Sequence, residues 1–347
     1  MVERDIIVIG ASAGGVEGVR QLVQSIPERA GVSIFVTVHF PSYGTSMLPR
    51  ILSRVASLPV IHPSDGQAIV PGRIYIAPPD FHLLLERSRI RLVRGPRENG
   101  HRPAIDPMFR SAAVAFGPRV VGIVLTGNLD DGTSGLAAIK RHGGLSLVQS
   151  PEDALFPSMP QNAIAHVVVD RVAPIRNMWP AIDALIRTPI EHGEYTLMPD
   201  DVTENELAAG ELSAIEQPDR HPGHVSAFSC PDCGGVLWEL KDGEFVRFRC
   251  RVGHAWTSEG LVAKQSDVLD DALWAALRAL EESVSLSRQL AERHRARGHV
   301  RLAARFEGQM GRMQERADAI RGALMQGHGI QVTPDMADDA EPRAVGD

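Results

Sequence analysis

The sequence predicts an α/β protein: a doubly wound, mostly parallel sheet with helices on both faces, followed by a small cysteine-bearing module and an α-helical hairpin. Three observations predict it. Across residues 1–190, short continuous apolar runs rich in β-branched residues alternate with helix-like stretches. All three cysteines fall within residues 227–256. Beyond them, two long stretches space their apolar residues alternately four and three apart.

The runs DIIVIG (5–10), VSIFVTVHF (32–40), RIYIAP (73–78), RIRLV (89–93), VVGIVLTG (120–127), LSLVQ (145–149) and AHVVVD (165–170) read as strands. Strands that are apolar throughout are buried on both faces, as parallel strands covered by crossover helices are. VEGVRQLVQSI (16–26) and GLAAIKRH (135–142) are amphipathic and supply two such helices. The stretch 73–93 reads as a hairpin, which would make part of the sheet antiparallel. Residues 191–226 set nine acidic residues against the single Arg220 and read as an acidic linker with one short helix near Glu204–Leu212. The cysteine-bearing module spans 227–258, and a helical hairpin spans 262–326. Within the hairpin, Leu273, Leu277, Leu280 and Val284, then Phe306, Met310, Met313, Ala317, Ile320 and Leu324, form a heptad seam. Arg295–Gly298 is its turn. Residues 327–347 are polar and acidic and read as a disordered tail.

Composition narrows the function classes. With 347 residues, 44% of them apolar, the chain can bury a sizeable core and form two or more domains. No apolar run approaches the roughly 20 residues of a membrane-spanning helix, so no membrane insertion is expected. MVERDIIVIG enters a strand-like run directly, without the apolar core or cleavage site of a signal peptide. A net charge of -7 argues against a general nucleic-acid partner, because phosphate neutralisation needs a basic surface. Three cysteines make no disulfide framework. A cytoplasmic protein is expected.

Gly10-Ala11-Ser12-Ala13-Gly14 follows the first strand and opens a helix. Formally this is a G-x-S-x-G turn, in which small neighbours expose a serine beside a helix N-terminus. Three readings stand: a nucleophile, a phosphate-binding loop, and an ordinary N-cap. The second strand bears on them. A nicotinamide-binding domain usually carries a carboxylate near its end for the ribose, whereas this strand supplies His39. His39 ends its strand where ligands collect in such sheets, and could abstract the serine proton. Asp130 and Asp131 follow a further buried strand at the same edge, where a carboxylate could orient the imidazole.

GASAGG (10–15), the VHF segment around His39 with TSMLPRIL after it, SDGQAIVPGRIYIAPPDFHL (64–83), HRPAIDPMFRSAA (101–113), LTGNLDDGTSGLAAIK (125–140) and FPSMPQNAI (156–164) occur in order. Together they resemble the catalytic domain of the CheB-type chemotaxis protein-glutamate methylesterases, over about residues 1–190. The resemblance implies a serine hydrolase that needs no catalytic cofactor. Ser12 would be the nucleophile, His39 the general base, and Asp131 the orienting carboxylate, because the family's aspartate directly precedes the glycine found here as Gly132. It implies backbone oxyanion donors at Ala13 and Asn128, and a methylated chemoreceptor-like protein as substrate, with glutamine deamidation by the same chemistry. One departure stands out: where the family reads Met-Gly, this chain has Asn128-Leu129, and glycine tolerates positive φ far better than leucine. Family members that adapt receptors usually carry a receiver domain ahead of the catalytic one. Here the α/β pattern begins at residue 5, and no receiver is expected.

Cys230, Cys233, Cys250 and His254 form Cys-x-x-Cys, a sixteen-residue gap, then Cys-x-x-x-His. Two knuckles joined by a hairpin-sized loop can converge on a tetrahedral zinc site, which makes 227–258 a zinc-ribbon-like module. Four protein ligands leave no open position, so the metal would be structural. A redox Cys-x-x-Cys pair and unliganded thiols are the other readings. Two functions remain open. One is the methylesterase; the other is a non-catalytic scaffold that binds receptors or signalling partners through a diverged cleft and the C-terminal modules. The helical hairpin is a candidate surface for self-association.

Overall fold

A computed structural model describes residues 4–40, 46–190, 199–211, 223–242 and 245–325. The expected tail at 327–347 and most of the expected linker, 191–198 and 212–222, lie outside the described residues. Those that are described form two compact units, divided between Lys264 and Gln265.

The first unit is built on a seven-stranded, wholly parallel sheet. Its strands are β1 (Ile6–Ala11), β2 (Ser33–Val38), β3 (Val60–Ile61), β4 (Arg73–Ile76), β7 (Val120–Val124), β8 (Leu145–Gln149) and β9 (Arg171–Ala173), in the order β3-β4-β2-β1-β7-β8-β9. Strand side chains alternate between faces, so β1 sends Ile7 and Ile9 to one side and Ile6 and Val8 to the other. Helices α1 (Gly15–Ser25) and α6 (Met178–Ile186) cover the first face through Val19, Leu22, Val23, Met178 and Ile182. Helices α3 (Ile105–Phe116), α4 (Thr133–Arg141) and α5 (Ser158–His166) cover the second through Met108, Phe109, Leu136, Ile139 and Met159. A short α2 (Leu48–Leu52) adds Leu48 and Leu52 to the first face.

Two strand assignments need correction. The antiparallel pair lies outside the main sheet: β5 (His82–Leu85) and β6 (Ile90–Val93) make a separate two-stranded ribbon, while β4 joins the parallel sheet beside β2. The run AHVVVD (165–170) is no strand. Its start ends α5, Val168 is 87% exposed, and the edge strand is Arg171–Ala173, paired with Leu147–Gln149. A β-branched run fits a strand only where a neighbour takes up its backbone bonds, and β8 takes up those of Arg171–Ala173 instead.

The acidic stretch holds α7 (Pro199–Ala209), which is not a solvated run: Asp201 and Glu204 are buried. Next come β10 (His224–Ser229), β11 (Val236–Asp242), β12 (Phe245–Cys250) and β13 (Ala255–Thr257), an antiparallel sheet in sequence order. A buried charge cluster ties these parts to the parallel-sheet layer. Arg110 of α3 and Arg249 of β12 both donate to Glu98 Oε1 at 2.9 Å. Arg247 clamps Glu204 with two bonds of 2.7 and 2.8 Å, and Arg249 adds a third at 3.0 Å. Burial opposes the charge on Glu204, yet Arg247, Arg110 and Arg249 hold its carboxyl well below the usual carboxylate range.

In the second unit, α8 (Ser258–Ala296), from Gln265 onward, and α9 (Val300–Met325) form the hairpin around the Arg295–Gly298 turn. Leu277, Val284 and Ala317 of the expected seam are buried, with Ala291 and Ala303 beside them. Arg321 pairs with Glu281 and Arg295 with Glu307 across the hairpin.

Replacing Glu204 takes a buried carboxylate from Arg247, Arg249 and Arg110, the last two of which keep Glu98. Glu204→Ala is expected to cost about 3–5 kcal/mol in a denaturant melt, the usual cost of breaking a buried ion pair. Because the folded-state pKa is depressed, this stability is present above the ordinary value near 4.5 and lost as pH falls through the folded value. A loss below about 1 kcal/mol, typical of a surface pair, would contradict the account.

Candidate active site

Ser12, His39 and Asp131 meet at the C-terminal ends of three adjacent strands, β2, β1 and β7. Chain order reverses there, since β1 leads to β2 on one side and adjoins β7 on the other, and such switch points are where open α/β sheets collect ligands. Ser12 follows β1, with its N–H on Thr126 O at 3.0 Å and its carbonyl accepting from Gly15 N at 2.8 Å. Gly14 takes a φ of 72°, which lets the chain turn into α1. His39 follows β2, its N–H on Ala11 O. Gly127 has to be glycine: a Cβ there would stand 2.0 Å from Met159 Sδ and 2.8 Å from Ser12 Cβ.

His39 Nδ1 lies 3.0 Å from Ser12 Oγ and its Nε2 lies 2.7 Å from Asp131 Oδ2. A carboxylate only accepts, so the ring proton belongs on Nε2 and Nδ1 is left to accept from the serine. The His39 side chain is 6% exposed and that of Asp131 is 3% exposed. Asp131 also accepts from Ile105 N at 2.8 Å, Asp106 N at 3.2 Å and Asn99 Nδ2 at 3.0 Å. Burial pushes its pKa up. The hydrogen bond and charge of His39, with the Ile105 amide, outweigh burial and hold Asp131 well below the usual carboxylate range.

The two amides on Asp131 open α3, so this carboxylate caps a helix as well as facing the imidazole. Asp106, in the first turn of α3, returns the contact by accepting from Gly132 N at 3.0 Å and Gly135 N at 2.7 Å at the start of α4. Burial, then the charge of Asp131, pushes Asp106 well above the usual range. Asp130 turns away from His39 and accepts from Thr257 Oγ1 at 2.6 Å; burial raises its pKa to about 7.

The geometry adds residues the sequence did not single out. His101 stacks on His39 with ring centroids 3.7 Å apart, and burial, then His39, depresses its pKa to about 3, so it stacks as a neutral ring. Asn99 donates to Asp131 and, at 3.2 Å, to Asp106 Oδ2. Asn99-Gly100 occupy a two-residue turn with φ of 51° and 75°, closed by reciprocal Glu98–His101 backbone bonds. Asn-Gly is the strongest short signal for such a turn and could have been found. His82 and His62 are structural: His82 Nε2 lies 2.9 Å from Pro96 O, and His62 Nδ1 2.9 Å from Ile76 O.

Leu129 has a φ of 60°. It adopts the left-handed backbone that a glycine would favour, at a cost of about 1–2 kcal/mol, so the departure from the family sequence leaves a glycine-like turn. Ser158 Oγ and Asn162 Nδ2 donate to Leu129 O at 3.1 Å each and hold it. Among the described residues, the N–H groups of Ala13 and Asn128 have no protein acceptor. Leu129→Gly is expected to unfold within about 1 kcal/mol of the parent or later, relief of strain offsetting the lost side chain. A loss above about 2 kcal/mol, as for removal of a packed Leu, would assign the turn to side-chain packing instead.

Cys230, Cys233, Cys250 and His254 bring their ligand atoms within 4.8 Å of one another. Cys233 Sγ and Cys250 Sγ are 3.7 Å apart, and His254 Nδ1 lies 3.8 Å from Cys230 Sγ and 3.6 Å from Cys250 Sγ. With Zn–S near 2.3 Å and Zn–N near 2.0 Å, tetrahedral edges come to about 3.5–3.8 Å. The donor set fits zinc.

A family model described as CheB methylesterase matches residues 7–182. Protein-glutamate methylesterase/protein-glutamine glutaminase 5 of Anaeromyxobacter dehalogenans is 39% identical over 186 residues, 52% of this chain and 51% of its own length. A Leptospira interrogans protein is 34% identical over 169 residues, 48% of this chain and 88% of its own length. The crystal structure of the Thermotoga maritima CheB methylesterase catalytic domain superposes with a TM-score of 0.52 at 30% identity, covering 53% of this chain and all of that one. The chain thus spans about half the length of the Anaeromyxobacter relative, and the likeness falls on the parallel-sheet layer that carries Ser12, His39 and Asp131. With more than half of its residues matched, the chain belongs to the CheB methylesterase family.

Proposed function

We propose that this chain is a serine esterase that hydrolyses glutamate γ-methyl esters on a chemoreceptor-like protein and deamidates glutamine by the same route. The observation that carries the reading is the Ser12–His39–Asp131 relay, continuous at 3.0 and 2.7 Å. Ser12 Oγ attacks the γ-carbonyl carbon and its proton passes to His39 Nδ1, while Asp131 stabilises the imidazolium. The N–H groups of Ala13 and Asn128 are the oxyanion donors in this reading. His39 returns the proton to the methoxy oxygen, the C–O bond breaks and methanol leaves. Water then attacks the acyl-serine and His39 takes its proton, then returns it to Ser12 Oγ as the acyl C–O bond breaks and the glutamate carboxylate departs. With a glutamine the leaving group is ammonia.

In this proposal residues 1–190 are the catalytic domain, completed by the charged partners on α7 and β12. The module at 227–258 is held by zinc through Cys230, Cys233, Cys250 and His254. When bound, the metal cross-links the two knuckles and takes no part in the hydrolysis, because four protein ligands fill its coordination. The support is the spacing of the four ligand atoms. The retained left-handed turn at Leu129 favours the esterase over the scaffold.

Methanol release from a methylated chemoreceptor preparation tests the reading. Ser12→Ala is expected to abolish release, and Asp131→Asn to slow it by on the order of 10³–10⁴ by fixing the wrong tautomer. Equal release from Ser12→Ala and the parent would exclude Ser12 as nucleophile. Metal analysis of the full chain is expected to find about one zinc per chain; a folded, metal-free module would refute the zinc assignment.

A further inference from the structure

The cysteine module reaches the catalytic carboxylate through one side chain. Asn99 accepts from Thr257 N through its Oδ1 at 2.9 Å, while its Nδ2 donates to Asp131 and Asp106. Its own N–H donates to Ala255 O at 2.7 Å, and Ala255 N donates to Arg97 O at 3.2 Å. The 97–99 turn is therefore bonded to β13, the strand directly after His254. An amide has one acceptor end and one donor end. With Thr257 N–H fixing the oxygen, the NH₂ must face the carboxylates; a flipped amide would set an oxygen against Asp131 and Asp106.

Thr257 makes a second contact on the same loop. Its Oγ1 donates to Asp130 and accepts from Gly260 N at 3.0 Å, capping α8. Asn162 donates both to Glu259 Oε2 at 2.8 Å and to Leu129 O. The segment after His254 thus reaches Asp130 directly, Leu129 through Asn162 and Asp131 through Asn99.

We propose that Asn99 is a positioning residue of the active site, and that docking of β13 sets its amide so that the cysteine module controls the orientation of Asp131. This rests on the esterase reading above. The charged and titratable groups around the two aspartates include His39, His82, His101, Asp106 and Asp130 for Asp131, and Glu259 and Asp131 for Asp130. Loss of the Asn99 donor leaves Asp131 less stabilised as an anion and less firmly oriented toward His39.

The test is the rate at which diisopropyl fluorophosphate phosphorylates Ser12 in the whole, zinc-loaded chain. The Ser12 Oγ–P bond forms, the P–F bond breaks, fluoride leaves and His39 takes the proton, so nucleophile activation is read without a receptor. Asn99→Gly tolerates the positive φ and is expected to react on the order of tenfold to a hundredfold more slowly. Its acidic limb should move to higher pH, with faster hydrogen exchange at the Ile105 and Asp106 amides. Asn99→Asp keeps the acceptor for Thr257 N–H and the turn preference but offers no donor at neutral pH; the same slowing is expected. Stripping zinc from the parent should reproduce the exchange signature and slow labelling, with little further effect on Asn99→Gly. Labelling of both variants within about twofold of the parent, with an unchanged pH profile, would overturn the proposal. Stripping that frees the 227–257 amides but leaves Ile105 and Asp106 protected would overturn the coupling. A parent chain unlabelled at Ser12 would instead overturn the nucleophile reading on which both rest.

Discussion

A carboxylate that stays ionised with almost no access to water needs a donor for each lone pair, and Asp131 has four: His39, the first two amides of α3 and Asn99. Burial alone would favour its neutral form, which could neither fix the imidazole tautomer nor stabilise an imidazolium. The site is therefore built around keeping this charge. The helix N-terminus supplies two donors with the favourable end of its dipole. Asp106 occupies the equivalent place at α4, so α3 and α4 start on each other's carboxylates and lock the loop that carries Asp131.

The parallel sheet makes this convergence possible. β2, β1 and β7 are adjacent, and their C-terminal ends bring residues 12, 39 and 131 within hydrogen-bond reach despite their distance in sequence. The backbone does the finer placing. Ser12 N–H is spent on Thr126 O, and Gly127 leaves room for the serine against Met159. His101 closes the outer face of the imidazole as a neutral ring, adding no charge that would compete with Asp131.

The central strands and the three residues at their ends were legible in the sequence, because buried parallel strands are continuously apolar and their ends carry the polar chemistry. The convergence of Cys230, Cys233, Cys250 and His254 was legible from spacing alone. What could not be read were contacts whose partners lie far apart: Glu204 falls in a stretch that reads as an acidic linker, and its partners Arg110, Arg247 and Arg249 come from α3 and β12. Asn99 is a turn residue. Its second use, joining Thr257 to Asp131, depends on a tertiary docking that no local pattern records. AHVVVD misled because β-branched composition signals a strand without saying whether a neighbour is in register to receive it.

The cysteine module packs against the turn beside the site. It packs Trp256 over Gly100, where a Cβ would meet the ring at 3.6 Å, and sets β13 against the turn that carries Asn99 and His101. All of this converges on the state of one imidazole. The most direct measurement is the ¹⁵N resonance pattern of the His39 ring in the full chain, at a pH where the ring is neutral. A protonated Nε2 and an unprotonated Nδ1 is the result required by an ionised Asp131. A proton on Nδ1, or a ring exchanging freely between the two tautomers, would contradict it.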